Sequence, residues 1–125
     1  MSITTSVDND KQLTTHTVIG EVYFEEEMTT LKQFWEGQTT KNALWDFRKA
    51  SLARVSSKET ETIMDYIKHH SGKCSVGKTA LVASGDLEYG ILRMAQTLAE
   101  IKGFYLQLEI FRSFEEAIQW LGEEE

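Results

Sequence analysis

The stretch KTALVASGDLEYGILRM, residues 78–94, decides the fold. Thr79 to Ala83 (TALVA) reads as a strand, and Ser84-Gly85-Asp86 then opens a helix that runs to Lys102. Leu87, Ile91, Met94, Ala95, Leu98 and Ile101 recur at helical spacing and are expected to face inward. Asp86 suits the N-cap, and Gly103 suits the position just past the C-terminus. Working outward, the same pair of elements recurs three times. Upstream, Ser57 to His70 carries Thr60, Ile63, Met64 and Ile67 on one helical stripe, and Ser56 with Glu59 has the spacing of a capping box. Asn42 to Phe47 is the strand before it. Further upstream, Tyr23 to Gly37 is helical, with Phe24, Met28, Leu31 and Phe34 or Trp35 on its apolar side, and follows a Thr- and Val-rich strand from Leu13 to Val18. Downstream, Tyr105 to Phe111 alternates, with Leu106, Leu108 and Ile110 on one face. Ser113 and Glu116 form a second capping box for a last helix that ends at Gly122. Four β-α units in succession imply an α/β domain with a mostly parallel four-stranded sheet.

The 125 residues support one domain, placed at 11–122, with residues 1–10 as a flexible N-terminal tail and 123–125 as an acidic tail. The composition, 41% hydrophobic and 26% charged, fits a globular chain rather than a disordered or fibrous one. A net charge of −7 argues against a large nucleic-acid footprint and against attraction to anionic membranes. The single cysteine, Cys74, and a first stretch without an apolar signal core point to the cytoplasm.

Residues 72–79, GKCSVGKT, satisfy the phosphate-loop pattern letter for letter. That pattern works only between a strand and a helix, because the helix N-terminus and the loop amides surround the phosphates. Here a helix precedes the loop and a strand follows it, so nucleotide hydrolysis is rejected. His69, His70 and Cys74 do not make a metal site, since adjacent helical side chains diverge by about 100°. No nucleophile elbow or paired base stands out, and the carboxylates at Glu25 to Glu27 read as a solvated first helical turn. Trp35, Trp45 and Trp120 read as packing residues. The chain is therefore expected to be non-enzymatic, with no cofactor and no metal.

In parallel sheets, ligands bind beyond the carboxyl ends of the strands. The polar groups expected there are Asp46 and Arg48 after the second strand, Ser84, Gly85 and Asp86 after the third, and Arg112 and Ser113 after the fourth. Gly90, unfavourable inside a helix, suggests a close approach to the third helix. From these surroundings Asp46, Arg48, Asp86, Tyr89 and Arg93 are the candidate binding surface for a partner protein or a small ligand. Ser56 and Ser57, at a helix start that tolerates negative charge, are candidate phosphorylation sites.

The segments ALWDFRKA, KTALVASGDLEYGILRM and LEIFRSFEEAIQWL resemble the SpoIIAA-like, or STAS, family over about residues 12–122. The resemblance implies a four-turn β-α superhelix, a fold shared with CRAL-TRIO lipid carriers. In its anti-anti-sigma branch a kinase modifies a serine after the second strand, in an Asp-Ser-Ser-Gly-like turn. The corresponding stretch is Arg54-Val55-Ser56-Ser57-Lys58, which keeps the serines and lacks the acidic residue and the glycine. The resemblance thus implies a non-enzymatic regulatory or binding module. The alternative is a carrier of a lipid-like ligand at a membrane surface, which would need an apolar cavity lined by Met28, Phe34, Met94 and Trp120.

Overall fold

The computed structural model describes residues 2–37, 40–71, 77–103 and 107–123. Five strands and four helices follow one another as β1 (Ser2–Asp8), β2 (Leu13–Glu21), α1 (Phe24–Glu36), β3 (Asn42–Ser51), α2 (Ser57–Ser71), β4 (Lys78–Val82), α3 (Asp86–Lys102), β5 (Gln107–Phe111) and α4 (Phe114–Gly122). The strands lie in one sheet in the order β1-β2-β3-β4-β5. β1 pairs antiparallel with β2, and the other neighbours are parallel. The protein is thus α/β, with a mostly parallel sheet of five strands rather than four.

The extra strand comes from residues expected to be a loose tail. Ser2 to Asp8 has almost no buried face, so no hydrophobic alternation betrays it. Its pairing is set by the free edge of β2 and by a tight turn: the Lys11 amide donates to Asp8 Oδ1, the Gln12 amide to the Asn9 carbonyl, and Gln12 takes a left-handed φ of 52°. The Asp-Asn-Asp run at 8–10, between two Thr-rich segments, is the turn signal that sequence reading passed over.

One face of the sheet carries Val18, Trp45, Phe47, Leu81 and Ile110 against α1, α2 and α3. The other carries Leu44, Ala80 and Val82 against Ala117 and Leu121 of α4, so the fourth helix packs opposite the first three. Within α3 the buried residues are Leu92, Ala95, Gln96 and Ala99. Leu87, Met94 and Ile101, expected to face inward, are 55%, 37% and 76% exposed. The alanine stripe lets the helix lie close to the sheet, and the bulkier heptad stripe beside it is left outside. Gln96 turns to the unpaired edge of β5, where its Nε2 donates to the Leu108 carbonyl and to Glu109 Oε1. Such occupation of an edge strand discourages pairing with another chain.

The helix ends follow the expected chemistry with one exception. Ser56 and Glu59 form the full reciprocal capping box, with N to Oε1 at 3.0 Å and N to Oγ at 3.1 Å. Ser113 Oγ accepts the Glu116 amide at α4, and Gly103 takes a left-handed φ of 70° after α3. Asp86, however, is not an N-cap. Gly85 holds that position without a side-chain bond, and Asp86 is the first helical residue, its carboxylate paired with Arg112. Residues 72–76, with Cys74 and the first part of the phosphate-loop match, and residues 104–106 and 124–125 lie outside the described residues. No helix among the described residues is long and apolar enough to cross a membrane.

Candidate functional site

The polar residues at the strand ends form a chain of contacts that crosses the sheet. β3 runs on to Ser51, so Asp46 and Arg48 lie within it rather than at its end; Asp46 pairs with Val82, the last residue of β4. Arg48 grips Asp46 with both arms, Nε to Oδ1 at 2.9 Å and Nη2 to Oδ2 at 2.8 Å, and its amide adds a third bond to Oδ1. Burial alone would raise the Asp46 pKa. The hydrogen bonds and charge of Arg48, with Lys49 adding, outweigh it and hold the carboxyl below its ordinary value. The Arg48 guanidinium lies over the Phe114 ring at 4.7 Å, so this pair belongs to the α4 face.

Asp86 and Tyr89 sit on α3, across the sheet. Arg112 joins them: it pairs with Asp86 at 2.9 Å, lies 4.2 Å over the Tyr89 ring and donates to the Ser84 carbonyl. Ser84 Oγ in turn donates to the Arg48 carbonyl, linking the two groups. Arg112 is the residue that the candidate set lacked, although it lies at the end of β5. The fifth candidate, Arg93, is exposed on α3, and among the described residues no side-chain bond or ion pair involves it. These charges are thus mostly matched within the chain. A Cβ added at Gly90 would meet nothing within 4 Å, so this glycine does not mark a close approach. Gly90→Ala is expected to raise stability by about 0.5–1 kcal/mol in urea denaturation, through helix propensity and a less flexible unfolded chain. A loss instead would mean that another surface approaches the helix at that point.

Ser56 and Ser57 are both exposed at the start of α2. Ser56 Oγ already serves the capping box, so a phosphate there would displace Glu59 by like-charge repulsion.

The carrier alternative requires an apolar cavity, and the structure contains one, lined mostly by residues other than those expected. An apolar cavity of about 80 Å³ runs between the sheet and helices α1, α2 and α3. Leu31, Phe34 and Trp35 of α1, Trp45 and Phe47 of β3, and Ile63 and Met64 of α2 are among its walls. Of the four residues named for such a cavity, Phe34 lines it and Met28, Met94 and Trp120 do not; Trp120 packs on the α4 face with Phe111. Glu27 is the one charged side chain among the described lining residues. It is partly buried, no described residue bonds or pairs with its carboxyl, and burial pushes its pKa up to about 7. The expectation that Glu25 to Glu27 form a solvated turn is therefore corrected at Glu27. It stands one helical turn before Leu31 and two before Phe34, on the inward stripe. That spacing was the available signal.

A buried polar side chain, His16, packs against the aromatic residues of the cavity wall. His16 is 2% exposed, its ring lies 4.1 Å from that of Trp45, and its Nδ1 meets Thr5 Oγ1 of β1 at 3.0 Å. Its Nε2 is buried without a partner among the described residues, and burial lowers its pKa to about 4, so the ring is neutral near pH 7.

The apparent phosphate loop is built for packing in the part that is described. Lys78 is buried, and its Nζ donates to the carbonyls of Trp120 at 3.0 Å and Glu123 at 2.7 Å, closing the C-terminus of α4. A Cβ at Gly77 would collide with the Lys41 carbonyl. Thr79 lies in β4, so a strand rather than a helix directly follows the lysine.

No family model matches the chain, and no curated protein matches it.

Proposed function

We propose that the chain is a non-enzymatic binding module of the STAS-like kind whose ligand is a small, largely apolar molecule held between α1, α2 and the sheet. The observation that carries this reading is Glu27, an ionisable group in the wall of an aromatic cavity with no partner among the described residues. An unpaired carboxyl among apolar side chains lowers stability, and such local violations concentrate at functional sites. The STAS-like assignment is supported by the four β-α units and by the sequential order of the parallel strands. Cavities that enclose drug-sized ligands measure about 300–1,000 Å³. A space of about 80 Å³ therefore suits a small molecule or a head group rather than an acyl chain, which narrows the lipid-carrier alternative.

Titration of the labelled protein with tert-butanol, followed by amide and indole NMR shifts, tests the reading. Shifts are expected at Trp35, Trp45, Ile63 and Met64, with Ala117 and Leu121 on the opposite face unmoved. Spectra unchanged by tert-butanol and by its charged near-isostere tetramethylammonium would overturn it.

A second reading, recognition of a partner protein, is favoured by α3. Leu87, Met94 and Ile101, seven residues apart, form one exposed apolar stripe along that helix.

A further inference from the structure

The lining of the cavity is unusual in kind as well as in charge. Four aromatic residues, Phe34, Trp35, Trp45 and Phe47, contribute to its wall. Trp45 and Phe47 lie nearly parallel, with centroids 6.0 Å apart, and Phe34 meets Trp35 edge to face at 5.0 Å. Aromatic faces carry negative potential and attract cations, most strongly when water is excluded. No lysine, arginine or histidine is among the described lining residues, so the counter-charge for Glu27 is not supplied from within the cavity. Thr60, one of the few other polar lining residues, has its hydroxyl turned to the Ser56 carbonyl.

Together these features select among cations. A metal ion needs several oxygen or nitrogen ligands, and the site offers one carboxylate. A guanidinium or a free ammonium brings several N–H donors that the apolar wall would leave unmatched. A methylated ammonium has few or no donors, spreads its charge over methyl groups and can contact rings on every side. Its size, a few non-hydrogen atoms, suits about 80 Å³.

We propose that the cavity takes a small methylated ammonium group, with Glu27 as its counter-ion and Phe34, Trp35, Trp45 and Phe47 as its aromatic walls. This rests on the ligand-binding reading above and names the chemistry of the ligand. Glu27 lines the cavity and is itself only partly buried, so its side of the wall is the side from which a cation would approach.

The test compares tetramethylammonium with neutral tert-butanol at pH 8 and matched ionic strength, by NMR titration of the wild-type chain and of Glu27→Gln. Tetramethylammonium is expected to bind the wild type at least about tenfold more tightly than tert-butanol. Glu27→Gln is expected to remove that advantage. Unchanged amide shifts at Ala117 and Leu121, in the separate cluster on the opposite sheet face, show that the variant is folded. Equal affinities in the wild type, or a Gln variant that takes tetramethylammonium as the wild type does, would overturn the proposal and leave the apolar-ligand reading standing. Failure of both probes would overturn both.

Discussion

Replacing Glu27 by leucine is expected to stabilise the protein by about 2–3 kcal/mol at pH 8 and to abolish cation binding. The magnitude follows from a carboxyl raised from 4.5 to about 7, at about 1.4 kcal/mol for each pH unit of displacement and discounted for partial exposure. Because the folded pKa lies above the unfolded one, the contribution of Glu27 is fully present below pH 4.5 and is lost as pH rises through about 7. His16 runs the other way. Its pKa falls from 6.5 to about 4 on folding, so its contribution, about 3 kcal/mol by the same conversion, is complete above 6.5 and lost as pH falls towards 4. Between pH 4.5 and 6.5 the two slopes oppose each other, and wild-type stability should be nearly level there. Glu27→Leu removes one of them and should unmask a stability that falls steadily as the solution is acidified. Urea midpoints measured from pH 4 to 8 for both proteins decide the matter. Parallel profiles would mean that Glu27 does not titrate in this window.

Lys78→Met should destabilise the fold by about 2–3 kcal/mol and loosen α4. Methionine fills most of the same volume, so the loss comes from two charge-assisted hydrogen bonds to the carbonyls of Trp120 and Glu123, at the end of a helix whose dipole favours a cation. The Lys78 amine also lies 5.2 Å from the Trp120 ring, which it helps to hold against Phe111. Faster amide exchange through residues 114–122, with β3 and β4 protected as before, would locate the effect. If the lysine were instead waiting for a phosphate, its removal would leave stability unchanged and inorganic phosphate would raise the melting temperature of the wild type alone.

The periodic parts of this protein were legible in its sequence. TALVA at 79–83, the capping box at Ser56 and Glu59, Ser113 before α4 and the left-handed Gly103 are local signals, and each occurs close to its expected position. The same locality exposed the phosphate-loop match as misplaced, because helix, loop and strand occur in the wrong order around it. What neighbouring residues do not encode came out differently. β1 buries almost nothing, so only the edge of β2 makes it a strand. α3 carries an alanine stripe and a leucine-methionine-isoleucine stripe about 100° apart, and the helical period serves both; the sheet chose the alanines because they permit closer packing.

The candidate site divides along the same line. That Asp46 and Arg48 form an ion pair was readable from their spacing of two on one strand face, whereas the Arg112 bridge from Asp86 to Tyr89 required β5 to lie beside β4. Glu27 is the clearest case. Its sequence neighbours, Glu25 and Glu26, are exposed and fit a solvated helix start. Its spatial surroundings are aromatic rings and aliphatic side chains contributed by β3, α2 and α3. Helical periodicity put Glu27 on the inward stripe, but only the packing of three helices on one sheet face left a cavity there, and only that enclosure withdrew water from the carboxyl and moved its pKa.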